Sequence, residues 1–282
     1  MVWVFIFQVT GMMRFRFATA RVTLRVQQPD RMHTAWHHRG KDHVLSILRR
    51  KKLNIGKLIE HMLPAQPCVL CGSMNHDGLW CRACDQALPY LNGQHCPACA
   101  LPTPAGEVCG QCLKSPPLFT STVAVYGYEF PLDKLIQAMK YGEQLALAHA
   151  FARKITESVK QGPLPDVVVP MPLHPAKLRE RGFNQSLLLA AKIARDLDLR
   201  LLTDACQRIR DTGPQSVLPW KKRKDNVRNA FRCDLDMTGM RVALVDDVLT
   251  TGASLDALAK AVRQRGAIEI RAWVVARTLP HP

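Results

Sequence analysis

Two adjacent carboxylates, Asp246 and Asp247, follow the apolar run Val242 to Val245 and precede a small, hydroxyl-rich turn, Thr250-Thr251-Gly252-Ala253-Ser254. The run is largely β-branched, and an amphipathic pattern follows it from Ser254 to Arg265 through Leu255, Leu258, Ala259 and Val262. The order is that of a buried strand, a loop at its carboxyl end and a helix N-terminus. Open α/β sheets bind ligands at that place. Backbone N–H groups of Thr250 to Ser254 are expected to converge on an anion, with Gly252 removing a side chain from its approach. The hydroxyls of Thr250, Thr251 and Ser254 add donors, and Asp246 and Asp247 suit the vicinal hydroxyls of a ribose. A phosphate cradle beside a reader of diols describes a ribose-5-phosphate site.

Cysteine carries the second chemistry. Eight of the ten cysteines fall in four C-x-x-C pairs, Cys68/Cys71, Cys81/Cys84, Cys96/Cys99 and Cys109/Cys112, and each cysteine of the first unit recurs 28 residues later. The block is a duplicated C-x2-C-x9-C-x2-C unit. Four thiolates per unit are what a tetrahedral structural zinc requires, so two zinc ions are expected, with ligands taken in sequential fours rather than interleaved. His76 and His95 lie nearby but are not needed. A block this short cannot bury a core of its own, so metal must stabilise it. Disulfides, a redox pair and an iron–sulfur cluster are the alternatives. Cys206 and Cys233 read as ordinary small apolar residues.

Further cations surround the first site. The loop after Val167-Val168-Val169 carries Lys177, Arg179 and Arg181 and leads through Gly182-Phe183-Asn184-Gln185 into a helix. It reads either as a second anion site or as a solvated basic loop with Asn184 as the cap. The stretch Arg208 to Arg232 has few apolar residues and many cations. It suits a mobile flap over a pyrophosphate, or a groove for a nucleic-acid backbone with Trp220 free to stack.

These groups must be positioned by an α/β body. Strands are expected at Val123–Tyr128, Val167–Val169, Arg200–Leu202, Val242–Val245 and Ile268–Val275. Helices are expected at Leu132–Lys140, Leu145–Val159 and Asn184–Leu197. Alternation of the two implies a mostly parallel sheet covered on both faces. The formal net charge of +16 is uneven, for residues 1–60 hold 12 Lys/Arg against 3 Asp/Glu. Such a surface suits phosphorylated small molecules or nucleic acid. Residues 1–60 read as a disordered basic extension or as the product of a start assigned too early, with Met62 just ahead of the first cysteine. No run approaches the roughly 20 apolar residues of a membrane span. With thiols paired for metal rather than disulfides, a cytoplasmic location without stable membrane insertion is expected.

The segment V-D-D-V-L-T-T-G-A-S resembles the signature of type I phosphoribosyltransferases. The chain from Cys96 onward resembles the ComF/GntX group, which is linked to DNA uptake and utilisation. That likeness rests on C-P-A-C…C-G-Q-C-L-K-S-P-P, L-I-Q-A-M-K-Y, R-E-R-G-F-N-Q-S, R-x-R-x-T-x-x-Q…R-x-x-N-V-R-N-A-F and the acid-and-turn segment. It implies a double zinc ribbon over 66–117 and a phosphoribosyltransferase-like domain over 119–282. It also implies phosphoribosyl pyrophosphate (PRPP) with Mg²⁺ as ligand. Thr250, Thr251, Gly252, Ala253 and Ser254 would hold its 5-phosphate, Asp246 and Asp247 its ribose, and Arg179 and Arg181 its pyrophosphate. Single-stranded DNA and competence or recombination proteins are the implied partners. Three functions stay open: a phosphoribosyltransferase, a DNA-binding accessory protein whose PRPP site is a sensor or relic, and a zinc-dependent adaptor.

Overall fold

The computed structural model describes residues 65–141, 144–210 and 229–280. The expectations for residues 1–60, and those for the middle of the Arg208–Arg232 stretch, lie outside them. The first ribbon consists of the strand pair β1 (Gln66–Pro67) and β2 (Met74–Asn75) with helix α1 (Arg82–Gln86), and the second carries α2 (Gly110–Lys114). The body follows as β3 (Ser121–Gly127), α3 (Leu132–Tyr141), α4 (Ala146–Val159) and β4 (Val167–Pro170). Next come α5 (Pro175–Arg181), α6 (Gln185–Asp196), β5 (Arg200–Leu201), β6 (Cys206–Arg208) and β7 (Phe231–Cys233). The chain closes with β8 (Arg241–Leu249), α7 (Ala253–Arg263) and β9 (Glu269–Arg277).

Five strands form one parallel sheet in the order β3-β9-β8-β4-β5. Parallel strands buried on both faces read as continuous apolar runs, and β4 and the first half of β8 do so. One face packs against α3, α4 and α6 through Ile136, Phe151, Leu189 and Ile193. The other packs against α7 and the β6–β7 hairpin through Leu258, Val262 and Phe231. The parallel sheet flanked by helices matches the expectation.

Three differences matter. First, β8 runs four residues past Val245, because β9 supplies pairing partners as far as Leu249↔Arg277. Asp246 and Asp247 therefore sit in the strand itself and not in the loop beyond it. Second, the basic loop after β4 folds into α5, started by Pro175 in the first turn and ended by Gly182 at φ 80°. Third, Cys206 and Cys233 do not stand alone. They face each other across the antiparallel β6–β7 pair, both buried, and burial followed by the Cys233 charge pushes the Cys206 thiol up.

The ribbons are docked rather than tethered. Leu91 N–H donates to Val125 O and Gly127 N–H to Pro89 O, so the chain after the first ribbon pairs along β3, the edge of the sheet. Trp80 packs 5.7 Å from Phe151 of α4. Asp85 accepts from Trp80 Nε1 at 2.7 Å, Tyr90 Oη at 2.9 Å and Lys154 Nζ at 3.0 Å. The linker into the sheet is clipped to α7 by Leu118 N–H, which donates to Asp256 Oδ1 at 2.6 Å.

Glycine is demanded just beyond α7. Gly266 has φ +93°, and a Cβ there would meet Thr238 Cα at 2.7 Å. Gly239 shares the left-handed backbone, φ +76°, but has open space around it. Gly266→Ala is expected to cost roughly 2–4 kcal/mol, strain and overpacking together. Gly239→Ala is expected to cost about 1 kcal/mol, from backbone strain alone. Urea midpoints of the two variants measure the difference; equal midpoints would contradict the packing at Thr238.

Candidate phosphate site and cysteine tetrads

The two acids lie at the carboxyl end of β8, beside the last turn of α3 and the first turn of α6. Asp247 is 4 % exposed, and its Oδ1 meets Lys140 Nζ at 2.9 Å. Its Oδ2 is buried without a hydrogen-bond partner among the described residues. Asp246 Oδ1 accepts from Ser186 Oγ at 3.0 Å and from Asp247 N–H at 2.9 Å. Burial first, and then the charge of Asp247, push the Asp246 carboxyl up to about 7, against the pull of Lys140 and the two hydrogen bonds. Burial tends to lower the Lys140 ammonium, but the Asp247 charge and hydrogen bond outweigh it and hold it above its ordinary value. The cluster thus holds one fixed cation and a carboxylate that gains or loses its proton near neutrality.

Sequence reasoning missed Lys140 and Ser186. The signal for Lys140 was present, because Leu132 and Ile136 are fully buried on α3 and Lys140 continues that i, i+4 row. A lysine on a buried stripe needs an anion. Ser186 closes the R-G-F-N-Q-S segment, where nothing local marks it as a partner of β8.

Thr250 and Thr251 link β8 to α7, and Gly252 caps the helix at φ 80°. Thr251 Oγ1 accepts from Ala253 N–H at 3.3 Å, and Gly252 O accepts from Asp256 N–H at 2.8 Å. A Cβ on Gly252 would lie 3.6 Å from Leu249 and 3.8 Å from Phe119, which is ordinary contact. The left-handed turn by itself calls for glycine at this position. Thr250, Thr251 and Ser254 are half-buried and Ala253 is buried.

β4 ends at Pro170, opposite Val245, so the segment after it leaves the sheet level with Asp246 and Asp247, short of the end of β8. Asn184 is the α6 cap: its Oδ1 accepts from Ser186 N–H at 3.0 Å and Leu187 N–H at 3.4 Å. Its Nδ2 ties back to Met171 O at 3.0 Å. Arg181 donates to Gln185 Oε1 at 2.6 Å and Tyr141 Oη at 3.2 Å, and lies 4.9 Å over the Tyr141 ring. Through Gln185 it is anchored one residue from Ser186, and so near the acids. Arg179 is exposed on the same short helix.

A cleft of about 630 Å³ opens between the second ribbon and the Thr251–Ala253 turn. Gln111, Lys114, Pro117, Phe119, Thr251 and Arg277 are among its lining residues. Asp246 and Asp247 do not line it.

The eight paired cysteines gather into two tetrads, Cys68/Cys71/Cys81/Cys84 and Cys96/Cys99/Cys109/Cys112, with the sulfurs of each within 4.8 Å of one another. The sequential grouping is the one realised. Cys71 and Cys81 sulfurs lie 3.8 Å apart, and Cys99 and Cys109 sulfurs 3.6 Å. Zn–S bonds of about 2.3 Å in a tetrahedron place sulfurs about 3.8 Å apart, so both tetrads fit a zinc ion. All ten cysteines are free of disulfides. Leu70 and Cys81 N–H groups each point at Cys68 Sγ at 3.4 Å, the outer-shell support a thiolate ligand needs.

Paired cysteine tetrads docked on a parallel sheet, with acids and a glycine-capped turn at its carboxyl end, define a double zinc ribbon joined to a phosphoribosyltransferase-type domain. A double zinc ribbon domain matches residues 58–113 and a phosphoribosyl transferase domain matches residues 184–279. The chain is 34% identical over 222 residues to DNA utilization protein YhgH of Escherichia coli O6:H1, covering 75% of this chain and 97% of that protein. It is 34% identical over 207 residues to Competence protein F of Haemophilus influenzae, covering 70% and 84%. It is 27% identical over 226 residues to Competence protein ComFC of Bacillus subtilis, covering 71% and 89%. The chain belongs to the ComF/GntX family. Among the described residues no helix is long and apolar enough to cross a membrane.

Proposed function

We propose that this protein binds PRPP with Mg²⁺ at the end of β8 and serves in the uptake or utilisation of DNA. The observation that carries the reading is the joining of Asp246, Asp247, Lys140 and Ser186 directly ahead of the Gly252-capped helix. Donors of Thr250 to Ser254 take the 5-phosphate at the positive end of α7. Asp246 and Asp247 accept from the ribose hydroxyls, and Lys140, paired with Asp247, holds it in place. Arg179 and Arg181 face the pyrophosphate from the neighbouring strand's loop. The carboxylates are oxygen donors of the kind Mg²⁺ takes, and the ion would neutralise pyrophosphate charge. The names of the relatives support the DNA role, with single-stranded DNA and recombination proteins as partners. The two tetrads hold structural zinc, and the protein works in the cytoplasm.

Transfer of the phosphoribosyl group to a nitrogen nucleophile and non-catalytic sensing of PRPP by a DNA-handling protein use the same site. Release of pyrophosphate on addition of an acceptor would separate them.

The Asp246 carboxyl supplies the test. An acid whose folded pKa is raised holds its proton across the window from the ordinary carboxylate range to about 7. In the free protein this contributes stability at low pH that is lost as pH rises through that window. A ribose diol needs the ionised acceptor, so binding must expel the proton below pH 7. PRPP–Mg²⁺ affinity is expected to rise about tenfold per pH unit below the pKa and to level off above it. Proton release should appear in calorimetry as a dependence on the buffer's ionisation enthalpy. A pH-independent affinity between 5.5 and 8 would remove Asp246 from the site.

A further inference from the structure

Arg277, the last residue of β9, is 5 % exposed. Among the described residues it makes no ion pair; its hydrogen bonds go to main-chain carbonyls of two modules. Nε donates to Cys99 O at 2.9 Å, inside the second tetrad. Nη1 donates to Leu249 O at 2.9 Å, to Thr278 O at 3.0 Å and to Thr250 O. Leu249 ends β8 and Thr250 begins the turn into α7. One buried guanidinium therefore joins a metal knuckle to the loop assigned to the 5-phosphate. Arginine alone offers forked donors that can serve both sides at once. A zinc ion held by four thiolates leaves that site two negative charges in excess, which suits a buried cation beside it.

The first ribbon is anchored on a different element. Its anchors, Trp80 and Asp85, end on Phe151 and Lys154 of α4. The second ribbon's chain continues into Leu118, bonded to Asp256 of α7, and Phe119, packed under Gly252. The two tetrads, alike in sequence, are unlike in what they touch.

We propose that Arg277 is a positioning residue through which the second zinc site, and not the first, sets the geometry of the phosphate loop. Zinc fixes the Cys96–Cys99 knuckle, the knuckle fixes the guanidinium, and the guanidinium holds the Leu249 and Thr250 carbonyls so that the turn at Gly252 presents its N–H groups. As a claim about PRPP this rests on the reading of Thr250 to Ser254 given above. As a claim about the loop it does not.

The test is a mutant cycle in the full-length, zinc-loaded protein. Arg277→Gln, and separately Cys109→Ser with Cys112→Ser, are each expected to weaken PRPP–Mg²⁺ binding at least tenfold. All three changes together should weaken it no more than about threefold beyond either, because both break one connection. Lys154→Met, which loosens the first ribbon's anchor, should alter affinity less than twofold. Multiplying effects, on the order of a hundredfold for the combination, would overturn the proposal. Hydrogen exchange gives a readout independent of PRPP. The amides of Asp256 and Thr278, bonded to Gly252 O and Leu249 O, should exchange at least tenfold faster when the second zinc site is lost. Those of Ala243 to Val245 should keep their protection, which shows that the sheet is folded. Unchanged exchange at Asp256 and Thr278 would overturn the link. Altered exchange in a protein that binds no PRPP would preserve the link and remove the phosphoribosyl reading.

Discussion

Asp246→Asn combined with Asp247→Asn is expected to lower PRPP affinity at least a hundredfold while single-stranded DNA affinity changes less than twofold. Hydrogen bonds to charged groups contribute about 1.5–3 kcal/mol each, and a ribose diol held by two carboxylates loses both. A hundredfold loss corresponds to about 2.7 kcal/mol, just under the roughly 3–6 kcal/mol that two such bonds supply, and so is a lower bound. Asparagine is the better substitution because its amide oxygen can still accept from Lys140, the 2.9 Å partner of Asp247, whereas alanine would leave that buried cation with neither a counter-charge nor a hydrogen bond. Breaking one side of a buried pair costs about 3–5 kcal/mol of stability and would confuse lost binding with lost folding. Titration of both ligands against both proteins checks the result, with the urea midpoint as control. Loss of both affinities in a folded variant would mean one shared site.

Zinc removal is expected to have the largest effect on structure. The second ribbon's cluster of buried residues consists of Cys96, Cys99 and Cys112, with only Ala98, Leu101 and Cys109 packed against it. Neither short ribbon helix buries an apolar side chain other than a ligand cysteine. Such segments lack a core of their own, and a structural zinc contributes on the order of 10 kcal/mol at neutral pH. Chelation should release two zinc ions per chain and deprotect the amides of residues 92–115. The sheet should remain folded, because its core on both faces is made by its own helices. The first ribbon should loosen less, since Trp80 and Leu88 belong to the main core beside Phe151. One ion per chain, or ribbons that stay protected without metal, would contradict this account.

What could be read in the sequence was what local pattern and spacing encode. Thiol repeats gave both tetrads, and apolar runs bounded by turns gave the five strands of the sheet. The acid pair and the T-T-G turn marked the candidate site. What escaped depends on distant partners. The strand was ended at Val245, where the apolar run stops, yet β9 pairs with β8 past the acids. The basic stretch before Gly182 looked like a loop because seven residues are too few for a helical period to stand out. Lys140 was legible in principle as a cation on a buried row. Ser186 and Arg277 were not, since each acts on residues brought near only by the fold, Asp246 sixty positions away and Cys99 at 178. Gly252 was legible as part of the turn, and the fold adds its left-handed backbone angle.

Calorimetric titration of the zinc-loaded protein with PRPP and Mg²⁺ at pH 8, with and without single-stranded DNA, tests the central claim most directly. The account predicts saturable binding of one PRPP per chain that requires Mg²⁺ and disappears in the Asp246→Asn/Asp247→Asn variant. Absence of saturable heat under both conditions, in protein carrying two zinc ions, would contradict it and leave the sheet a scaffold for DNA handling.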